Sequence, residues 1–148
     1  AHGPTSVTEI AGSLFSDDFK SVRFAEPAGV EALQFWVDLA RKDKTVVALV
    51  GRFDGNKAAD YLIGVVRQWE FGSEPSGWIF ALGVDPKQEG KGLGKLLRDE
   101  AIRRFQSLGV RTVRTMVKKD DVRVLRFFRD AGFSAGPFVE LELPLRSP

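Results

Sequence analysis

Ile79-Phe80-Ala81-Leu82-Gly83-Val84-Asp85-Pro86-Lys87-Gln88-Glu89-Gly90-Lys91-Gly92-Leu93-Gly94-Lys95-Leu96-Leu97 decides how this chain folds. An apolar run stops at Pro86, passes through glycines at 90, 92 and 94, and enters a segment whose leucines and basic residues suit an amphipathic helix. A helix start of this kind offers unpaired backbone N–H groups and the positive end of the macrodipole, which together hold a phosphate or pyrophosphate. Glycines lack Cβ, so an anion can come close to their backbone. Glycine-rich turns before helices are common and most are structural, so the surroundings must decide.

Two familiar phosphate motifs do not fit. A P-loop places four residues between its first glycine and a Gly-Lys pair followed by Ser or Thr, whereas Gly94-Lys95 is followed by Leu96. A dinucleotide-binding turn needs G-x-G-x-x-G and an acidic residue closing a second parallel strand. Here the glycines are spaced by two throughout, and Val113–Val117 runs into Lys118-Lys119.

The chain does resemble the GNAT superfamily of N-acetyltransferases in two separated places. The first is the strand-turn-helix above, where the family pattern is Arg or Gln, two residues, Gly, any residue, then Gly or Ala. The second is Asp121-Val122-Arg123-Val124-Leu125-Arg126-Phe127-Phe128-Arg129-Asp130-Ala131-Gly132-Phe133, similar to the family's later helix, which starts at Asn and ends in Gly-Phe. The pieces stand in the order and at the distance of helix, strand, helix, and with flanking strands the resemblance covers residues 21–145. It implies an α+β fold: a mixed, mostly antiparallel central sheet flanked by helices, with splayed fourth and fifth strands.

Composition narrows the remaining classes. The 148 residues are 43% hydrophobic and 28% charged, which suits one globular domain over 21–148 after an N-terminal segment, 1–20, expected to be partly mobile. No apolar run approaches the ~20 residues of a membrane span, and no basic-then-apolar leader is seen, so the expectation is a cytoplasmic protein with no membrane partner. There is no cysteine, and the only histidine is His2, which leaves no basis for disulfides, a thiolate- or His-based metal site, or a Cys- or His-borne acyl intermediate, and no metal is expected. Net charge is +2, but residues 87–129 hold thirteen Lys and Arg against five Asp and Glu, a local +8 that leaves −6 elsewhere. A basic region suits a ligand with several phosphates, and an acidic remainder suits a cationic amine. Without aromatic interleaving or a binding motif, the basic part is not read as a nucleic-acid surface.

Periodicity supplies the elements. Ser21–Glu26 reads as a first strand, and Pro27 opens a helix to Arg41 with Val30, Leu33, Val37 and Ala40 on one stripe. Strands follow at Thr45–Phe53, Tyr61–Trp69 and Trp78–Val84, the first pair joined at Asp54-Gly55-Asn56 and the second by a loop over Phe71–Gly77. After the glycines a helix runs to Ser107, with Leu93, Leu96, Leu97, Ala101, Phe105 and Leu108 as its core side chains. Val110–Val117 is a strand and Val122–Asp130 a short helix stopped by Gly132. Val139, Leu141, Leu143 and Leu145 alternate with Glu140, Glu142 and Pro144, a strand with one wet face, able to pair across a homodimer.

What the resemblance implies for chemistry is acetyl-CoA as cosubstrate, with its pantetheine arm against the backbone of Leu82, Gly83 and Val84. An N–H near Leu82 would polarise the thioester carbonyl, and Gly83 suits a bulge that frees such a group. The pyrophosphate would rest on the backbone of Glu89, Gly90, Lys91, Gly92, Leu93, Gly94 and Lys95, with the side chains of Lys87, Lys91 and Lys95 adding charge. Asp121 and Phe128 take the places of motif residues that reach the coenzyme in relatives, and Asp121 reads equally as a helix N-cap.

Three positions depart from the family. Glu89 replaces Arg or Gln and repels a pyrophosphate; Phe128 replaces the Tyr that often protonates the leaving thiolate; Ser76, Gly77 and Trp78 stand where many members carry a Glu base. Glu70 and Glu74 are the substitute candidates for that base. Trp69, Phe71 and Trp78 are candidates to line an acceptor pocket, with core packing preferred for at least two of them. The expectation is direct N-acetyl transfer to an amine, small-molecule or protein, of unspecified identity. The rival is a non-catalytic acyl-CoA-binding sensor on the same fold.

Overall fold

The computed structural model describes residues 27–54, 57–84, 90 and 92–147. They fall into two compact units that meet at Met116/Val117. The first contains helix α1 (Pro27–Lys42), strands β1 (Val46–Asp54), β2 (Lys57–Arg67) and β3 (Ser76–Val84), helix α2 (Leu93–Ser107) and strand β4 (Val113–Thr115). The second contains helix α3 (Val122–Arg129) and an irregular C-terminal segment. The strand expected at Ser21–Glu26 lies outside the described residues, as do Lys87, Glu89 and Lys91.

The sheet has the order β1-β2-β3-β4, antiparallel through β3 and parallel between β3 and β4. Proline at the first position of α1 loses nothing, because a first-turn N–H has no helical partner. Thr45 leads into β1 through two bonds to Asp43 Oδ1, donated by its backbone N–H (2.9 Å) and its hydroxyl (2.7 Å). One core cluster joins α1 to the sheet through Trp36, Val46, Tyr61, Ile63 and Ala81. Trp36, with Phe35, Leu39 and Ala40 packed beside it, marks the inward stripe of the helix. Of the expected stripe, Ala40 packs here with Trp36 beside it, while the side chains of Val30 and Leu33 lie outside those described.

Helix α2 packs on the sheet by Leu97, Ala101 and Phe105, all buried. Phe105 explains two strand glycines. A Cβ on Gly77 would fall 2.6 Å from the Phe105 ring, and one on Gly64 would fall 2.9 Å from it. Glycines at 64 and 77 open the cradle that lets the ring reach the sheet. Burying such a ring stabilises by roughly 1.5–3 kcal/mol. The expectation that Leu96 and Leu108 share this face is corrected, since they are 65% and 39% exposed. Leu96 is turned about 100° from Leu97, on the side away from Phe105, and Leu108 falls just past the helix end. Arg98 is buried instead, its Nε donating to Asp99 at 3.0 Å.

The two last strands also differ from expectation. Val110–Val117 contracts to Val113–Thr115. Val139–Leu145 forms no strand, and Val139, Leu141, Leu143 and Leu145 are 82–89% exposed. Alternation only prepares a strand; the ladder needs a neighbouring backbone, and none pairs with this segment among the described residues.

Candidate active site

β3 changes its surroundings part-way along. Its first residues are closed on both edges: Gly77, Trp78 and Ile79 face Val113, Arg114 and Thr115 of β4, and the Gly77 N–H donates to Thr112 O at 2.9 Å. The Thr115 hydroxyl donates to Ile79 O at 2.8 Å and marks the end of that ladder. The next residue, Phe80, is a bulge. β2 pairs Gly64 with Ile79 and Ile63 with Ala81, so Phe80 is one residue more than its partner strand can match. From Ala81 to Val84 the strand continues against β2, with no β4 residue opposite its other edge.

The bulge thus falls three residues before Gly83, where it was expected. Gly83 answers a different demand. It faces Tyr61, whose ring occupies the space a Cβ would need. Tyr61 is fully buried, and burial pushes its hydroxyl well above the ordinary phenol range. The chain's only tyrosine is a core residue. Beside it Asp60, opposite Val84, is also fully buried, with no hydrogen-bond partner for either carboxylate oxygen among the described residues. Nothing in the sequence separates Asp60 from a surface acid.

Past β3, Gly90 and Gly92 are left-handed (φ 81° and 76°), with open space where a Cβ would stand. Gly92 is the N-cap of α2 and offers no side chain to the helix, and no acid occupies the first turn. The Leu96 N–H closes the first turn on Gly92 O at 3.0 Å, so the N–H groups of Leu93, Gly94 and Lys95 have no helical acceptor. An uncapped, acid-free helix start fits an anionic group better than a capped one does.

The β2–β3 hairpin carries both candidate carboxylates. Glu70 begins a short 3-10 turn, and Glu74 is exposed beyond it. Arg67 reaches Glu70 Oε2 at 3.5 Å and lies 5.2 Å over the Trp78 ring. The Ser73 N–H and hydroxyl donate to Glu70 O at 3.0 and 2.9 Å. Arg114 of β4 donates to the hydroxyls of Ser73 (3.2 Å) and Ser76 (3.0 Å). Core packing does not account for Trp69 and Phe71, which are 67% and 80% exposed. Apolar bulk suggested burial, but a reversal this tight turns both rings outward.

In the second unit Asp121 caps α3, its Oδ1 accepting from the Val124 N–H at 3.1 Å. Phe128 is buried, edge-on to Phe127 (5.1 Å) and Phe133 (5.2 Å). That position offers a hydrocarbon ring and no proton.

The sequence profile of the acetyltransferase (GNAT) family matches residues 6–133. The chain belongs to that family. Its class is that of acetyltransferases, and the cosubstrate of the class is acetyl-CoA. A mycothiol acetyltransferase of Propionibacterium freudenreichii is 42% identical over 60 residues, 40% of this chain and 19% of the relative. One from Geodermatophilus obscurus is 33% identical over 63 residues, covering 43% and 20%. The chain thus spans about a fifth of the curated relatives it matches. Among solved structures, a transcriptional regulator from Bacillus halodurans superposes over 97% of both chains with a TM-score of 0.65 and 20% identity. AAC(6')-Iy in complex with a bisubstrate analogue, CoA-S-monomethyl-acetylneamine, gives 0.61 and 16%, over 74% of this GNAT chain and 76% of that one. These likenesses establish the fold: a mixed α+β sheet, mostly antiparallel, flanked by helices. No described helix of this GNAT chain is long and apolar enough to cross a membrane.

Proposed function

We propose that this chain transfers the acetyl group of acetyl-CoA directly to an amine. One observation carries the reading. β3 loses its β4 partner at a bulge and is followed in the chain by an uncapped, glycine-led helix start. A strand with one open edge can accept the amide groups of a pantetheine arm as if they were another strand, here along Leu82, Gly83 and Val84. Gly90, Gly92, Leu93, Gly94 and Lys95, with Glu89 and Lys91, would receive the pyrophosphate. Asp121 and Phe128 are retained as coenzyme contacts on the family motif alone.

In the reaction, the neutral amine attacks the thioester carbonyl carbon. The C–N bond forms, the C–S bond breaks, and the sulfur leaves as a thiolate. Phe128 cannot protonate it, so water is the proton source. Glu70 is the favoured base and Glu74 the second. Both precede Ser76, and Ser76 to Phe80 is about 13 Å of strand at the usual rise, so the proton reaches a carboxylate there along a chain of waters and not by direct contact. Glu70→Gln is expected to lower turnover ten-fold or more while leaving acetyl-CoA binding nearly unchanged. Unchanged turnover removes Glu70 from the mechanism.

The acceptor is an amine of a small molecule or a protein, with the acidic remainder of the chain favouring a cationic one. The buried Phe128 favours a second reading, a sensor that binds acyl-CoA without turning it over. An amine panel with thiol release as readout separates the two. Release with any amine supports transfer, and binding without release across the panel supports the sensor.

A further inference from the structure

The hairpin's aromatic residues take a backbone conformation that their side chains disfavour. Trp69 (φ 57°) and Phe71 (φ 54°) are the only non-glycine residues with positive φ among the described residues. A left-handed backbone crowds Cβ against the following carbonyl, so bulky residues are rare there and glycine is the usual choice. Gly72, next in line, does adopt it as glycine (φ 70°). Trp69 and Phe71 gain little from burial in exchange, being mostly exposed. Strain held at two exposed rings marks a surface kept for contact.

The chemistry of that surface is specific. Glu70, which separates the two aromatic residues in sequence, is engaged by Arg67 at 3.5 Å, so the rings themselves are the surface that would receive a cation. Arg67 over Trp78 shows that an aromatic ring at the base of this hairpin already receives a cation. Arg114 and Ser73 tie the turn to β4 and hold it in place.

We propose that Trp69 and Phe71 form a recognition platform for the far end of an elongated, cationic amine acceptor. This rests on the acetyltransferase reading and narrows its acceptor. The platform lies beyond Ser76, and the bulge at Phe80 is about 13 Å further along the strand. A molecule that touches both must therefore carry a second cationic group some ten or more ångströms from the nitrogen that is acetylated. A short monoamine reaches only one of the two. Binding energy gathered at the remote group then positions the reacting one.

The test uses calorimetry of linear α,ω-diamines of increasing chain length, and of propylamine, on the full chain with coenzyme A present. The proteins are the unmodified chain, Trp69→Gly, Phe71→Gly and Trp69→Phe. Glycine suits the left-handed turn, so the first two variants keep the hairpin while removing the ring. Diamine affinity should rise with length in the unmodified chain and fall ten-fold or more in both glycine variants. Propylamine should be unaffected, and Trp69→Phe should retain most of the long-diamine affinity. Equal affinity of all four proteins for the long diamines overturns the platform. Thiol release, measured separately, keeps the two ideas apart: ring-dependent diamine binding without release sinks the transferase reading alone, and release that is indifferent to both rings sinks the platform alone.

Discussion

The two ends of β3 take the same left-handed backbone with opposite choices of residue. At the end that leads to α2 the positions are Gly90 and Gly92, and at the hairpin end Trp69 and Phe71 stand beside Gly72. Glycine costs the turn almost nothing and leaves bare N–H groups, which is what a phosphate-binding helix start requires. Tryptophan and phenylalanine strain the turn, and their value must lie in their exposed rings. On the proposed reading the backbone serves one ligand and the side chains another. Between the two ends Phe105 packs on the sheet in its two-glycine cradle.

Removing that centre should have the largest effect. Phe105→Ala takes away a fully buried ring over Gly64 and Gly77 and is expected to cost about 3–5 kcal/mol, read by urea denaturation. Both ends should then lose ligand binding together. A loss confined to one end would show that the strand does not couple them.

The next test acts on the glycine end. Gly92→Ala puts a Cβ on a left-handed N-cap and should destabilise by ~1 kcal/mol. Acetyl-CoA affinity should fall about ten-fold, equivalent to ~1.4 kcal/mol. Diamine affinity should not change. At the aromatic end the sign of the stability effect reverses. Trp69→Gly relieves an unfavourable φ and should leave thermal stability unchanged or raise it by a few degrees, with acetyl-CoA affinity intact. A Trp69→Gly variant that unfolds readily would mean the ring is structural after all.

Much of this contrast could be read from residue order, and part of it could not. The glycine turn, the helix after it and strands β1 to β3 follow from local pattern, with boundaries within a few residues except at the start of β2. The bulge at Phe80 was not legible, because a bulge is a mismatch between two strands and neither strand contains it alone. Asp60 was not legible either, since its burial depends on register across the sheet. The missing strand at Val139–Leu145 is the instructive failure. Its alternation is as regular as that of any paired strand, yet a strand is a property of two backbones, and this segment has no neighbour among the described residues. Trp69 and Phe71 failed for a related reason: hydrophobicity predicts burial on average, and a tight reversal of the chain overrides it.

The smallest effect concerns the middle of α2, beyond the first turn, where the pyrophosphate is proposed to rest. Glu100 accepts from Arg103 (2.6 and 2.8 Å) and Arg104 (3.1 Å), and these hydrogen bonds hold its carboxyl down at about 2. Because the folded value lies below the unfolded one, the contribution is complete above about pH 4.5 and is lost as pH falls toward 2. Glu100→Gln should lower the melting temperature slightly at pH 7 and not at all near pH 2. Exposure to solvent keeps the difference small. Binding at either end of β3 should be untouched.

The most direct measurement is a calorimetric titration of acetyl-CoA into the unmodified chain at low salt, with free coenzyme A in parallel. The account predicts one site per chain at micromolar affinity for both, because the nucleotide and pantetheine portions are shared. Absence of binding up to millimolar acetyl-CoA would contradict it: the fold would then lack the family's chemistry, and the glycine turn would be only a turn.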